Sequence, residues 1–206
     1  MSAILVLAGV NGAGKSSLLG VLPLSFFNPD EAARRIRQEL ACSIEEANSR
    51  AWEEGRRRLE AAIETRTNYV FESTLGGNTI PGLLRAAVES EIDVLVWFVG
   101  LSTPEQHIAR VRARVAAGGH DIPEQKIRER WDSSRRNIIT LMPFLTELRV
   151  FDNSEEGDPA AGTIPAPRLL LHWRRGRIVA PALSALSETP EWAKPLVAQA
   201  LKLQRA

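Results

Sequence analysis

The eight residues Gly9–Ser16 carry the most specific chemical signal in the sequence. They read Gly-Val-Asn-Gly-Ala-Gly-Lys-Ser and match the pattern G-x-x-x-x-G-K-[ST] at every fixed position. Glycines let backbone N–H groups point inward around a phosphate, the Lys15 ammonium neutralises β- and γ-phosphate charge, and the Ser16 hydroxyl is a ligand for Mg²⁺. We therefore expect ATP and Mg²⁺ to bind here. The expected binding residues are Gly9, Asn11, Gly12, Ala13, Gly14, Lys15, Ser16 and Ser17.

Two carboxylates near the ends of predicted strands are candidates for acid–base chemistry or for binding substrate. Asp30 follows a short strand that ends near residue 27, and ligands of doubly wound sheets sit at the carboxyl ends of strands. Its carboxylate could accept the proton of an attacking hydroxyl, or it could cap a helix over residues 31–40. Glu72 closes another apolar strand and could hold Mg²⁺ through water, bind a substrate hydroxyl, or lie exposed. Thr74, on the following loop, is a candidate substrate-binding hydroxyl.

An arginine-rich segment around Gly118-Gly119-His120 has the composition of a lid that closes over an active site. Phosphoryl transfer spreads negative charge over the γ-oxygens, and arginine side chains stabilise that charge. Arg110 and Arg114 share one helix face and are our candidate catalytic cations. His120 could contact phosphate or substrate, or be an exposed loop residue. We expect about two of the arginines of this segment to contact ligand. The segment contains seven arginines, namely Arg110, Arg112, Arg114, Arg128, Arg130, Arg135 and Arg136.

The elements that must position these residues alternate between strand and helix from residue 3 to about residue 152. Strands are predicted at 3–8, near 26–27, and at 68–72, 92–99 and 148–151. Helices are predicted at 15–22, 31–40, 43–65, 81–89, 104–117 and from 123 or 124 to 141. This alternation requires right-handed βαβ crossovers and a parallel sheet covered on both faces. A loop, a hairpin around residues 174–176 and a helix at 190–203 complete the chain.

Composition excludes several classes of protein. Lys and Arg total 26 against 25 Asp and Glu, so net charge gives no attraction to nucleic acid. No apolar run approaches the ~20 residues that span a bilayer, and the apolar start of the chain is too short for a signal peptide. The one cysteine, Cys42, cannot form an internal disulfide.

Residues 94–98 contain no acid, so the usual Walker-B carboxylate is absent, which favours a small kinase over a motor-type ATPase. We expect a cytoplasmic protein.

Several short motifs, taken in order, resemble the zeta-toxin family of P-loop kinases over about residues 3–154. They are Gly9–Ser16, Asn28-Pro29-Asp30, Phe71-Glu72-Ser73-Thr74-Leu75, Pro104-Glu105, Arg110 with Arg114, Gly118-Gly119-His120 with Pro123, and Asp152-Asn153-Ser154.

The resemblance implies a fold and a set of residue roles. The fold is α/β, a P-loop NTPase with a nucleotide-kinase-like, doubly wound, five-stranded parallel sheet in the order 2-3-1-4-5. From the sequence itself we expect a kinase core over 1–154 with a lid around 117–124, and a loop, hairpin and helix over 155–206 that pack on it. Asp30 would be the general base, Glu72 and Thr74 would lie on the substrate or metal side, and Asn153 would lie near adenine.

The family's best-studied members phosphorylate a sugar hydroxyl of UDP-N-acetylglucosamine, so a small-molecule hydroxyl acceptor and an antitoxin partner are implied. This chain departs from the family in being shorter than the larger toxins, and in having His120 where some members have an arginine. Two alternatives stay open. One is a kinase for another acceptor, such as a nucleoside or dinucleotide. The other is an ATP-binding, toxin-like protein without transfer activity, either a slow ATPase or a regulatory module that binds a partner.

Overall fold

The computed structural model describes residues 2–15, 18, 26–119, 121–157 and 166–205. Its strands are β1 Ala3–Ala8, β2 Tyr69–Ser73, β3 Asp93–Gly100, β4 Glu147–Asp152, β5 Arg168–Arg174 and β6 Arg177–Ala180. Its α-helices are α1 Pro29–Leu40, α2 Ile44–Thr65, α3 Thr79–Glu89, α4 Pro104–Ala116, α5 Glu124–Leu141 and α6 Lys194–Arg205. Short 3-10 segments lie at Met142–Phe144, Leu183–Glu188 and Glu191–Ala193. None of these helices is long and apolar enough to cross a membrane.

The described strands form one six-stranded sheet in the order β2-β1-β3-β4-β5-β6. The first four are parallel neighbours, as the alternation of strand and helix requires. The predicted second strand is reduced, in the described residues, to an isolated parallel bridge between Phe27 and Phe71. This bridge puts Phe27, of the predicted second strand, beside β2. Since β2, β3 and β4 are the predicted third, fourth and fifth strands, the observed order agrees with the predicted order 2-3-1-4-5.

The C-terminal hairpin extends the main sheet. Strand β5 pairs antiparallel with β4, and β6 pairs antiparallel with β5. The register places Trp173 opposite Leu148 and Leu171 opposite Val150, and all four side chains are buried. Pairing in this register hides the apolar face of β5 and satisfies the backbone groups along the edge of β4. The observed sheet therefore includes two antiparallel strands, β5 and β6, that were not part of the predicted parallel sheet.

Side-chain caps explain where three of the helices begin. The Asn28 side chain accepts N–H bonds at the start of α1, Ser43 accepts the Glu46 N–H at the start of α2, and Thr103 does the same for α4. The observed helix, with Ser43 as its cap, confirms the helix predicted over 43–65 from the Ser43–Glu46 pattern. The helix predicted over 15–22 falls mainly outside the described residues, although Leu18 is helical and its N–H donates to the Lys15 carbonyl at 3.0 Å.

The main core lies between the sheet and the helices α2, α3, α5 and α6. Strand residues Val6, Val96 and Val150 are fully buried, and so are Leu59 and Ile138 on the helices. Trp192 packs beside Phe98 with ring centroids 6.2 Å apart. The burial of these apolar side chains fixes the sheet, whose carboxyl edge carries the residues with chemical interest.

Candidate active site

The loop that follows β1 has the backbone geometry of a phosphate-binding loop. Gly12 and Gly14 have φ of 83° and 81°, a left-handed conformation that glycine adopts without strain. A Cβ on Gly12 would lie 2.6 Å from the His107 carbonyl oxygen, and one on Gly9 would lie 2.5 Å from the Val99 carbonyl oxygen. Glycine is therefore required both by backbone conformation and by the close approach of neighbouring backbone.

Buried side chains hold this loop from the side of α4 and β4. The His107 ring bonds through Nδ1 to the Asn11 carbonyl at 3.0 Å, and Asn153 donates from Nδ2 to the Ala13 carbonyl at 2.8 Å. Arg110 donates from Nη2 to the Asn153 carbonyl at 2.8 Å. Burial lowers the pKa of His107 to about 4, so the ring is neutral near pH 7 and donates from Nδ1. These contacts fix the loop by bonds to its carbonyls.

Lys15 and Glu72 lie together where β1 and β2 end. The Lys15 Nζ donates to the Gly9 carbonyl at 3.2 Å and lies 3.8 Å from Glu72 Oε2, and both side chains are only 13% exposed. Burial raises the pKa of the Glu72 carboxyl, and the nearby Lys15 charge offsets part of that rise. The lysine thus sits at the mouth of the loop with partners that an incoming phosphate could replace.

Asp30 lies in the first turn of α1 and does not cap it. Asn28 is the cap, because its Oδ1 accepts the N–H of Asp30 at 2.9 Å and that of Glu31 at 3.4 Å. The Asp30 carboxylate instead pairs with Arg114, with 3.4 Å between Oδ2 and Nη1. The capping role that the sequence left open therefore belongs to Asn28, and the carboxylate of Asp30 contacts Arg114 instead of the start of its own helix.

Asp30, Lys15 and Glu72 line one cleft of about 510 Å³ at the carboxyl edge of the sheet. Its walls come from four other parts of the chain. The lining residues from these parts include Asn11 of the phosphate loop; Asn48, Trp52, Gly55 and Arg56 of α2; Thr74, Gly76, Gly77, Thr79 and Ile80 after β2; and Ile122, Lys126, Glu129, Arg130 and Ser133 on and before α5. A volume of this size suits a small-molecule ligand.

Two residues of α5 help to build this site: Arg130, which was one of seven candidate arginines, and Asn137, which was not a candidate. Arg130 donates to Asn11 Oδ1 at 2.8 Å, and burial lowers the pKa of its guanidinium. Asn137 donates from one amide nitrogen to the carbonyls of Leu75 and Gly77, at 2.7 and 2.9 Å. These two residues belong to a polar stripe at helical spacing, which is the signal that could have found them. The stripe is Lys126, Arg130, Ser133 and Asn137.

Of the other predicted site residues, one lines the cleft, one lies elsewhere, and three lie outside the described residues. Thr74 lines the cleft, and its Oγ1 accepts the Gly76 N–H at 3.3 Å. Arg110 does not line the cleft and contacts the loop after β4 instead. Ser16, Ser17 and His120 lie outside the described residues.

A mostly parallel α/β sheet with a glycine-rich phosphate loop after β1 defines the class of P-loop proteins with a kinase-like fold. The chain belongs to the AAA_33 family of AAA domains, whose family model matches residues 4–138.

The chain is also similar to individual proteins. The chain is 33% identical over 129 residues to an uncharacterized protein of Haemophilus influenzae, covering 60% of this chain and 88% of that protein. The crystal structure of AvrRxo1-ORF1:-ORF2 with ATP superimposes with a TM-score of 0.68 at 16% identity, covering 93% of this chain and 64% of that one. A structure from the PezAT chromosomal toxin-antitoxin system of Streptococcus pneumoniae superimposes with a TM-score of 0.54 at 13% identity, covering 100% of this chain and 88% of that one. At these identities the two structures establish a shared fold.

Proposed function

We propose that the protein is an ATP-dependent kinase, similar to zeta toxins, that transfers the γ-phosphoryl group to a hydroxyl of a small-molecule acceptor in the cytoplasm. One observation carries the proposal. The Asp30 carboxylate, which does not cap its helix, lines the same cleft as Lys15 of the phosphate loop. A base and a phosphate-binding cation on one cleft are the minimum that transfer to a hydroxyl needs.

The residues present fit ATP and Mg²⁺. Glycine at positions 9 and 12 lets the loop pack tightly against the backbone at Val99 and His107, and a tight glycine-rich loop of this kind can turn its N–H groups toward a phosphate. Ser16 would hold Mg²⁺ by its place in the motif, with Glu72 as a carboxylate near the same phosphates. No cluster of three or more His, Cys, Asp or Glu among the described residues competes for a metal. When bound, Mg²⁺ would neutralise charge on the β- and γ-phosphates.

The reaction assigned to these residues is an in-line displacement. The acceptor hydroxyl gives its proton to Asp30 as its oxygen bonds to the γ-phosphorus, and the bond from that phosphorus to the β–γ bridging oxygen breaks to release ADP. Lys15 exchanges its contacts with Gly9 and Glu72 for phosphate oxygens. Arg114 would turn from Asp30 toward the transferring group, and a lid around 117–124 would exclude water. Asn153 would lie beside the adenine, with Arg110 bracing its backbone.

The acceptor follows from the resemblance, which favours a sugar nucleotide such as UDP-N-acetylglucosamine. The toxin-antitoxin system and the ORF1:ORF2 complex among the structural neighbours support a protein partner for this chain as well. A second candidate function is ATP binding without transfer. It is favoured by the ion pair of Asp30 with Arg114, because the carboxylate must first be released by the arginine before it can contact an acceptor hydroxyl.

The test is incubation of the protein with ATP·Mg²⁺ and a panel of sugar nucleotides, nucleosides and dinucleotides, read by mass spectrometry. A gain of one phosphate on an acceptor, lost in Lys15→Ala and kept in Lys194→Ala, supports the kinase. Lys194 is the control because it is an exposed lysine that pairs with Glu191, away from the cleft. Formation of ADP with no phosphorylated acceptor would select the slow ATPase, and binding of ATP without ADP formation would select the regulatory module.

A further inference from the structure

One wall of the cleft presents an exposed tryptophan. Trp52, on α2, is 49% exposed, whereas Trp173 and Trp192 are buried. Six large apolar side chains are exposed in the described chain, and Trp52 is the one among them that lines the cleft. Its ring makes no hydrogen bond or ring contact with the described residues. The indole face is therefore open to whatever occupies the cleft.

The position of Trp52 on its helix supports a role in binding. Asn48, one turn before it, and Arg56, one turn after it, line the same cleft, so this face of α2 is turned toward the ligand space. A single exposed apolar side chain on a protein surface needs no explanation. A flat aromatic ring inside a cleft is different, because it offers a stacking surface to a ligand.

Another wall of the cleft, on α5, carries two cations that form no ion pair among the described residues. Lys126 lines the cleft from α5, and none of the ion pairs among the described residues includes it. Arg130, one turn further on, bonds to the amide oxygen of Asn11 and likewise has no carboxylate within ion-pair distance. Glu129 lies between them on the same helix and lines the cleft as well. A cation that faces a ligand cleft without a protein anion is suited to a negatively charged group.

Resting on the phosphotransfer proposed above, we propose that Trp52 and Lys126 select an anionic acceptor, with a ring of that compound stacking on Trp52 and its anionic group meeting Lys126. Two kinds of ring share this chemistry, a nucleobase and the C–H face of a sugar. Trp52 would thus determine which hydroxyl compounds are brought to Asp30. An open-chain phosphate would lack the stacking contact and bind weakly.

Steady-state kinetics with matched acceptors tests the proposal. The set is UMP and uridine for the base, glucose 1-phosphate and glucose for the sugar, and glycerol 3-phosphate as the open-chain anion. Trp52→Ala should raise KM for the preferred ring compound about tenfold, the fold-change that ~1.4 kcal/mol of stacking gives. Trp52→Phe should restore most of the affinity, and KM for ATP should stay unchanged in both. Lys126→Ala should raise KM for the phosphorylated ring compound more than for its neutral counterpart.

Leu183→Ala is the matched control for Trp52, since Leu183 is an exposed apolar side chain outside the cleft. Lys194→Ala is the control for Lys126. Transfer to an acceptor with KM unchanged in Trp52→Ala would overturn the proposal. Preference for glycerol 3-phosphate over both ring compounds would overturn it too.

A binding titration separates failure of this inference from failure of the phosphotransfer. The acceptors are titrated against protein saturated with a non-hydrolysable ATP analogue and Mg²⁺, with calorimetry as the readout. If no acceptor is phosphorylated, the proposed kinase activity is wrong, but binding of a ring compound that weakens about tenfold in Trp52→Ala still supports the ring subsite. Equal binding by wild type and Trp52→Ala overturns the subsite whether or not transfer occurs.

Discussion

The side-chain amide of Asn153 donates to the backbone oxygen of Ala13 at 2.8 Å, joining the end of β4 to the middle of the phosphate loop. The two residues are 140 positions apart, and both are buried. A buried carbonyl that loses its donor costs about 1–3 kcal/mol, so this one bond is a substantial part of what holds the loop in shape.

Replacement of Asn153 by alanine should therefore weaken ATP binding. We expect Asn153→Ala to lower ATP affinity by about tenfold and to lower the free energy of unfolding by about 1–3 kcal/mol, because the Ala13 carbonyl is left unpaired. Titration with an ATP analogue and urea unfolding measure the two effects. Asn68→Ala is the control, since the Asn68 side chain also bonds to the backbone, accepting the N–H of Ala3, but it is exposed and lies beside the start of β1, away from the loop. Equal ATP affinity in wild type and Asn153→Ala would contradict the bracing role.

Asp30→Asn should remove phosphotransfer and leave ATP binding intact. The amide keeps the size of the carboxylate but cannot accept a proton at neutral pH, so the rate should fall by roughly 10²–10⁴. The neighbouring exposed Glu31→Gln is the matched control, because it removes one negative charge from the same helix turn. The measurements are acceptor phosphorylation by mass shift and ATP-analogue titration. Near-normal transfer by Asp30→Asn would show that another group is the base.

Two helical glycines should respond to alanine in opposite directions. A Cβ on Gly55 of α2 would lie 2.7 Å from the Phe27 ring, whereas a Cβ on Gly82 of α3 meets nothing within 4 Å. Gly55→Ala should displace Phe27, which leads into Asn28 and α1, and should destabilise the fold by about 1–3 kcal/mol. Gly82→Ala should stabilise it by about 0.5–1 kcal/mol through helix propensity. Thermal unfolding of both variants gives the signs, and stabilisation by Gly55→Ala would refute the packing of Phe27 against this helix.

The stability of the protein should depend on pH through Glu72. Burial raises the pKa of this carboxyl above its ordinary value of 4.5, so the folded state prefers the protonated form. The stability that this group contributes is fully present below the unfolded pKa and is lost as the pH rises through the higher folded pKa. Glu72→Gln stays neutral and should be more stable than wild type near neutral pH, and the difference should vanish below about pH 4. Urea unfolding across this range measures it. A less stable Glu72→Gln near neutral pH would mean that attraction to Lys15 outweighs burial.

Much of the fold could be predicted because its signals are local. The apolar run of β1, the capping pattern of Ser43 with Glu46, and the proline at the start of α4 each depend on neighbouring residues, and each appears where it was expected. The phosphate loop belongs to this group, since its glycine positions and its place after β1 are visible in eight consecutive residues.

The contacts that complete the candidate site depend on distant residues. The sequence marked Asp30 and Lys15, but the choice between Asp30 and Asn28 as helix cap was settled by side-chain direction, which spacing does not specify. Arg130 was one of seven similar arginines, and only the packing of α5 against the loop after β2 separates it from the others. Pairing of β5 with β4 likewise needed the register that hides Leu171 and Trp173.

By itself, the sequence determined that the chain forms an alternating α/β sheet with a phosphate loop after its first strand, because periodicity and motif are properties of neighbouring residues. Only the tertiary structure decided that Asp30, Glu72, Trp52 and Arg130 share one cleft, and that Asn153 and His107 hold the loop. The physical reason is that burial, ion pairing and stacking act between side chains that are far apart in sequence, and the packing of the helices on the sheet sets those distances.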